Sequence, residues 1–78
     1  MGWNYRVLAV KDGNDWYFQI HEVHYDKAGK PNGHSRNWVG VGSSNPKDLK
    51  LVLGKMEECL SKPILSYDNF PEEWKEDE

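Results

Sequence analysis

The longest helical apolar repeat in this chain lies in residues 49–60. Leu49, Val52, Leu53, Met56 and Leu60 recur at three and four residues, the spacing of one face of a helix. Lys47, Lys50, Lys55, Glu57 and Glu58 fall mainly off that stripe. The start of the helix is marked by Asn45 as N-cap, Pro46 at the first helical position and Asp48 in the first turn, where the helix dipole favours a negative charge. Lys62-Pro63 stops it. Gly54 costs about 1 kcal/mol against alanine in a helix interior, a cost that close approach of a Trp ring would explain. A lone amphipathic helix must bury its stripe on something else, so the rest of the chain has to supply a sheet.

The strand candidates precede the helix. In residues 3–10, Trp3, Tyr5, Val7 and Ala9 share one face, with Asn4 and Arg6 on the other. Lys11-Asp12-Gly13-Asn14-Asp15 predicts a hairpin turn. Residues 16–25 are the longest strand candidate, but Trp16, Phe18 and Ile20 lie out of phase with Val23 and Tyr25. Either both faces are partly covered or a bulge near His21-Glu22 shifts the register, and the bulge is the favoured reading. Asp26-Lys27-Ala28-Gly29-Lys30 predicts a type I turn closed by a left-handed glycine. The third strand returns through Pro31 and Gly33 and is best defined at Trp38-Val39-Gly40-Val41. The expected fold is α+β, in the order β-β-β-α: an antiparallel sheet of three strands, or four if Ile64-Leu65 joins, with one helix on one face.

Seventy-eight residues make a single domain, which at this size buries only about 60% of its unfolded surface. Four Trp, four Tyr and two Phe suit so small a core. The domain is expected over residues 1–65, with an acidic, aromatic-containing tail over 66–78. That tail holds six acidic residues against Lys75, whereas residues 1–65 hold nine bases and seven acids. The one cysteine, Cys59, forms no internal disulfide. No apolar run approaches the roughly 18 residues that span a bilayer, and the first residues lack the basic-then-apolar pattern of a signal peptide. A cytoplasmic protein with no membrane association is expected.

Candidate chemistry is thin. His21, His24, His34 and Cys59 are the only soft-metal set, and His-x-x-His in a regular strand sends its two rings to opposite faces. Cys59 sits in the last helical turn, where the dipole opposes a thiolate. Ser43-Ser44 lacks the strand–elbow–helix motif of a hydrolase, and Gly40-Val41-Gly42 lacks the third glycine and the Lys-Ser/Thr pair of a phosphate loop. Glu57-Glu58 and Glu72-Glu73 are solvated carboxylates. Neither catalysis nor a cofactor or metal is expected. Single-strand nucleic-acid binding through sheet aromatics beside Arg6, Lys11, Lys30 and Arg36 is less favoured, because a pI near 5.5 neutralises few phosphates.

The reading that fits best is a non-enzymatic interaction module with a protein partner. Its expected contacts are Tyr67, Phe70, Glu72, Glu73 and Trp74 in the tail, with Trp38 and His24 on the sheet as a weaker set. A homodimer through an exposed third-strand edge is the further alternative, so the chain is expected as a monomer or a homodimer.

Several segments also carry a family likeness. Tyr5-Arg6-Val7, Ile20 to Asp26, Gly29-Lys30-Pro31, Val39-Gly40-Val41-Gly42 and Lys62-Pro63-Ile64-Leu65 resemble, in that order, a group of small uncharacterised bacterial and phage proteins. The likeness covers about residues 5–65 and implies a fold. More distantly the layout resembles the N-terminal domain of HicB-type antitoxins, with Asn45-Pro46-Lys47-Asp48-Leu49 standing where that family has its capped helix start. The chain lacks that family's proline-rich turn before the third strand and its C-terminal DNA-binding domain. What the likeness implies is a small inhibitor: an antitoxin-like or phage anti-defence protein acting on a nucleic-acid-processing enzyme.

Overall fold

A computed structural model describes residues 2–75. The elements are β1 (Gly2–Asp12), β2 (Asp15–Tyr25), β3 (Pro31–His34), α1 (Pro46–Glu58) and β4 (Leu65–Ser66), with a short 3-10 turn at Cys59–Ser61. The sheet order is β3-β2-β1-β4. β1 and β2 pair antiparallel along their whole length, from Gly2 opposite Tyr25 to Asp12 opposite Asp15. Gly13, at φ 64°, opens the two-residue turn between them, as a type II′ hairpin requires. The Asp26–Lys30 loop is the predicted turn. Gly29 N–H donates to Asp26 O at 3.0 Å, Gly29 has φ 80°, and Asp26 Oδ1 accepts from Ala28 and Lys30 N–H, both at 2.9 Å.

Three expectations are corrected. The sheet is mixed and not purely antiparallel, because β4 runs parallel to β1, with Leu8 beside Leu65 and Ala9 beside Ser66. The third strand is Pro31–His34; Trp38–Val41 touches β2 through a Val39 N–H to Ile20 O bond of 2.8 Å but forms no strand. No bulge interrupts β2 at His21-Glu22. Its register with β1 is continuous, and the only irregularity lies between His24 and Tyr25 in the pairing with β3.

The phase change in β2 has the other cause: both sides of the sheet are covered. One side carries Arg6, Leu8, His21, Val23 and Tyr25, following the register. There Leu8, Val23 and Leu65 form the buried cluster, with Tyr25, Tyr67 and Phe70 packed against it. The other side carries Val7, Ala9, Phe18 and Ile20. The helix lies on that side, and Met56 lines a groove with Phe18 and Ile20. Coverage from both sides buries Arg6, Val7, Leu8 and Ala9 in succession.

The helix is capped as its sequence predicts. Asn45 Oδ1 accepts from Asp48 N–H at 2.8 Å, and Asn45 Nδ2 donates back to Asp48 Oδ2 at 2.9 Å. Its buried stripe differs from the expected one. Leu49 and Val52 are half-buried, Met56 and Cys59 are buried, and Leu53 and Leu60 are exposed. Nothing lies within 4 Å of where a Cβ would stand on Gly54, so no ring approaches it.

Candidate functional site

The residues expected to act in binding fall into two settings. Tyr67, Phe70 and Trp74, set apart above as tail aromatics, are half-buried against the sheet. Phe70 lies edge-on to His34 at 4.7 Å between ring centroids, and Tyr67 lies 4.8 Å from the same ring. Trp74 stands edge-on to both Trp16 and Phe18, at 5.7 and 5.1 Å. The backbone follows the rings. Ser66 N–H donates to Glu72 O at 2.7 Å and Trp74 N–H to Ile64 O at 2.8 Å, so residues 72–74 run beside β4. Asp68, Glu72 and Glu73 stay exposed. Of the other acidic tail residues, positions 76–78 lie outside the described residues.

The His21 and His34 side chains hold this strap in place. His21 is fully buried, with Nδ1 at 3.0 Å from Ser35 O and Nε2 at 3.0 Å from Gln19 Oε1. His34 Nδ1 lies 2.7 Å from the same Ser35 carbonyl. A carbonyl only accepts, so both rings carry their proton on Nδ1 toward it. Burial lowers the His21 pKa, against the Ser35 backbone bond, and nearby His34 lowers it further. A neutral His21 then needs a donor at Nε2, which the Gln19 amide supplies when its NH₂ faces the ring. His24 is exposed on the opposite side of β2, its Nε2 4.0 Å from Glu22 Oε1. The odd spacing therefore separates His21 from His24 as expected. Among the described residues no three His, Cys, Asp or Glu side chains gather closely enough to hold a metal ion.

Cys59 is a buried, free thiol. Burial pushes its pKa up, with Arg6 and a backbone bond pulling the other way, which leaves the thiol protonated and a poor nucleophile. Arg6 is itself buried and donates to Tyr25 Oη at 2.9 Å and Pro63 O at 2.7 Å. It fastens the segment between helix and β4 onto β1.

Against these inward-facing groups stands an outward-facing set, of which only Trp38 is among the contacts expected from sequence. Tyr17, Phe18, Trp38, Val41 and Leu53 are about half to two-thirds exposed. Phe18, Trp38 and Val41 line the groove of about 310 Å³ that also holds Met56, Ile20 and Val39. Trp38, at 63% exposure, also lines a second hollow with Arg36, Tyr67 and Val10 on the far side of the same edge. The sequence signal for this surface was present in Trp16-Tyr17-Phe18, three successive aromatics that cannot all face one core.

The chain exposes 5848 Å², whereas a compact monomer of its mass exposes about 4,900 Å². Its radius of gyration is 13.2 Å, against about 11.5 Å expected for this length. Among the described residues no helix is long and apolar enough to cross a membrane. Comparison with protein-family models, curated proteins and solved structures finds no match to this chain.

Proposed function

We propose that this protein is a non-enzymatic interaction module whose working surface is the apolar groove between α1 and β2, with Trp38 at its rim. The observation that carries the reading is the cluster of Phe18, Trp38 and Val41, each more than half exposed, beside a helix that buries little of itself. Half-exposed aromatic rings clustered beside a sheet are the kind of residue that binding hot spots draw on. A narrower form is an antitoxin-like or phage anti-defence inhibitor of a nucleic-acid-processing enzyme. Its support is the family likeness together with the exposed carboxylates of Asp68, Glu72 and Glu73, which complement a basic groove.

The test is affinity capture from lysate of the source cell with the wild-type chain and a Trp38→Ser variant of equal near-ultraviolet circular dichroism. A stoichiometric protein held by the wild type and lost from the variant supports the reading. The same proteins on both, or none on either, overturns it. Single-strand nucleic-acid binding is the second reading, favoured by Arg36 and Tyr67 beside Trp38. It predicts quenching of Trp fluorescence by an oligonucleotide, reversed steeply by salt.

A further inference from the structure

The outer edge of β2 is covered along only part of its length. Ile20 and Glu22 point their backbone groups outward, since Val39 N–H donates to Ile20 O and Ser35 N–H donates to Glu22 O at 2.9 Å. Backbone direction alternates with period two along a strand, which puts the N–H and C=O of Phe18 and Trp16 on that same outer edge. β3 pairs only with Val23 to Tyr25. Among the described residues, no hydrogen bond reaches the outward groups of Trp16 and Phe18.

Within this stretch of β2 itself the residues that normally protect an edge are missing. Trp16-Tyr17-Phe18-Gln19-Ile20 contains no charge and no proline, and β2 is regular here. We infer that a second copy of this chain pairs with it, β2 against β2 and antiparallel, across a two-fold axis at Tyr17. The proposal rests on the interaction-module reading and names one occupant of that surface. With the axis at Tyr17, Trp16 of each copy faces Phe18 of the other. Each such pair exchanges two N–H···O=C bonds, so the four donors and four acceptors that Trp16 and Phe18 present in the two copies satisfy one another. The pairing ends at Ile20, whose C=O already accepts from Val39 N–H, and Val41, which lines a groove with Tyr17 and Phe18, borders it. Joined this way, two four-stranded sheets become one of eight strands.

The surface supports the same assignment. A standard interface buries roughly 800 Å² on each partner. Phe18, Tyr17 and Trp38, half-exposed along this edge, would supply its apolar part.

The test measures the mass of the full chain by sedimentation from low to high micromolar concentration, for the wild type, Tyr17→Lys and Tyr17→Glu. At the axis the two residues at position 17 stand directly opposite, about 4.5 Å apart at Cα. Like charges there should leave each variant monomeric, with at least a tenfold weaker self-affinity than the wild type. Mixing the two variants should restore a dimer, which a folding defect would not do. A wild type that stays monomeric at every concentration overturns the pairing. So does a dimer that both variants retain, or variants whose mixture stays monomeric. Capture of a different protein through the Trp38 surface by a monomeric chain would leave the interaction-module reading intact while this inference fails.

Discussion

The two sides of the β1–β2 hairpin show how unevenly a small domain distributes its core. On the strap side Leu8, His21 and Val23 are fully buried, and Tyr67 and Phe70 close over them. On the helix side Met56 is the one buried residue of α1, while Leu51 and Leu53 face solvent. The element with the clearest sequence signal therefore contributes little burial, and the segment that reads as an acidic end contributes much of it. Cohesion concentrates where three segments distant in sequence meet, around Leu8, Val23 and Leu65. The helix side keeps more of its large apolar side chains exposed.

That contrast can be broken most directly at Leu8. Leu8→Ala should cost about 3 kcal/mol in urea unfolding, in the range for a fully buried leucine; a loss below about 1 kcal/mol would mean that the strap side is not the core. Gly54→Ala tests the other side. The position faces open space at helical φ, so the change should raise stability by roughly 0.5–1 kcal/mol. A loss would reveal a close neighbour to the helix. The subtlest test is pH. The His21 pKa is lowered on folding from its ordinary 6.5, so the unfolded chain binds the proton more readily. Its contribution is complete above pH 6.5 and is lost as pH falls through the lowered folded value. The urea midpoint should decline on that acid side, and His21→Gln should flatten the decline. An unchanged slope would place the acid sensitivity elsewhere.

Local signals were legible and pairings between distant segments were not. Asn45-Pro46-Lys47-Asp48 and Gly13 state their structures through capping and φ requirements that need no neighbour. Pro31-Asn32-Gly33-His34 has poor strand composition and pairs because the Asp26–Lys30 turn delivers it to β2. Trp38-Val39-Gly40-Val41 has good strand composition yet finds only one bond, since propensity cannot supply a ladder partner. The phase change at Val23 looked like a bulge because the cover on its side comes from Leu65, Tyr67 and Phe70, far along the chain. Of the candidate contacts, Trp38 is exposed, His24 is exposed beside Glu22, and Tyr67, Phe70 and Trp74 are engaged within the fold.

The parallel pairing of β4 with β1 has a kinetic consequence. The β1–β2 hairpin closes over a two-residue turn, an event on the order of 1–10 μs. Leu8 meets Leu65 only after most of the chain has closed into one loop, a slower step that bears a larger entropy cost. The sheet should thus assemble from the hairpin outward, with the outer edge of β1 open until the strap arrives. For that interval the folding chain has two bare edges, one of which its own last strand will cover. Dilution during refolding should then favour recovery, by letting the strap reach β1 before a neighbouring chain does.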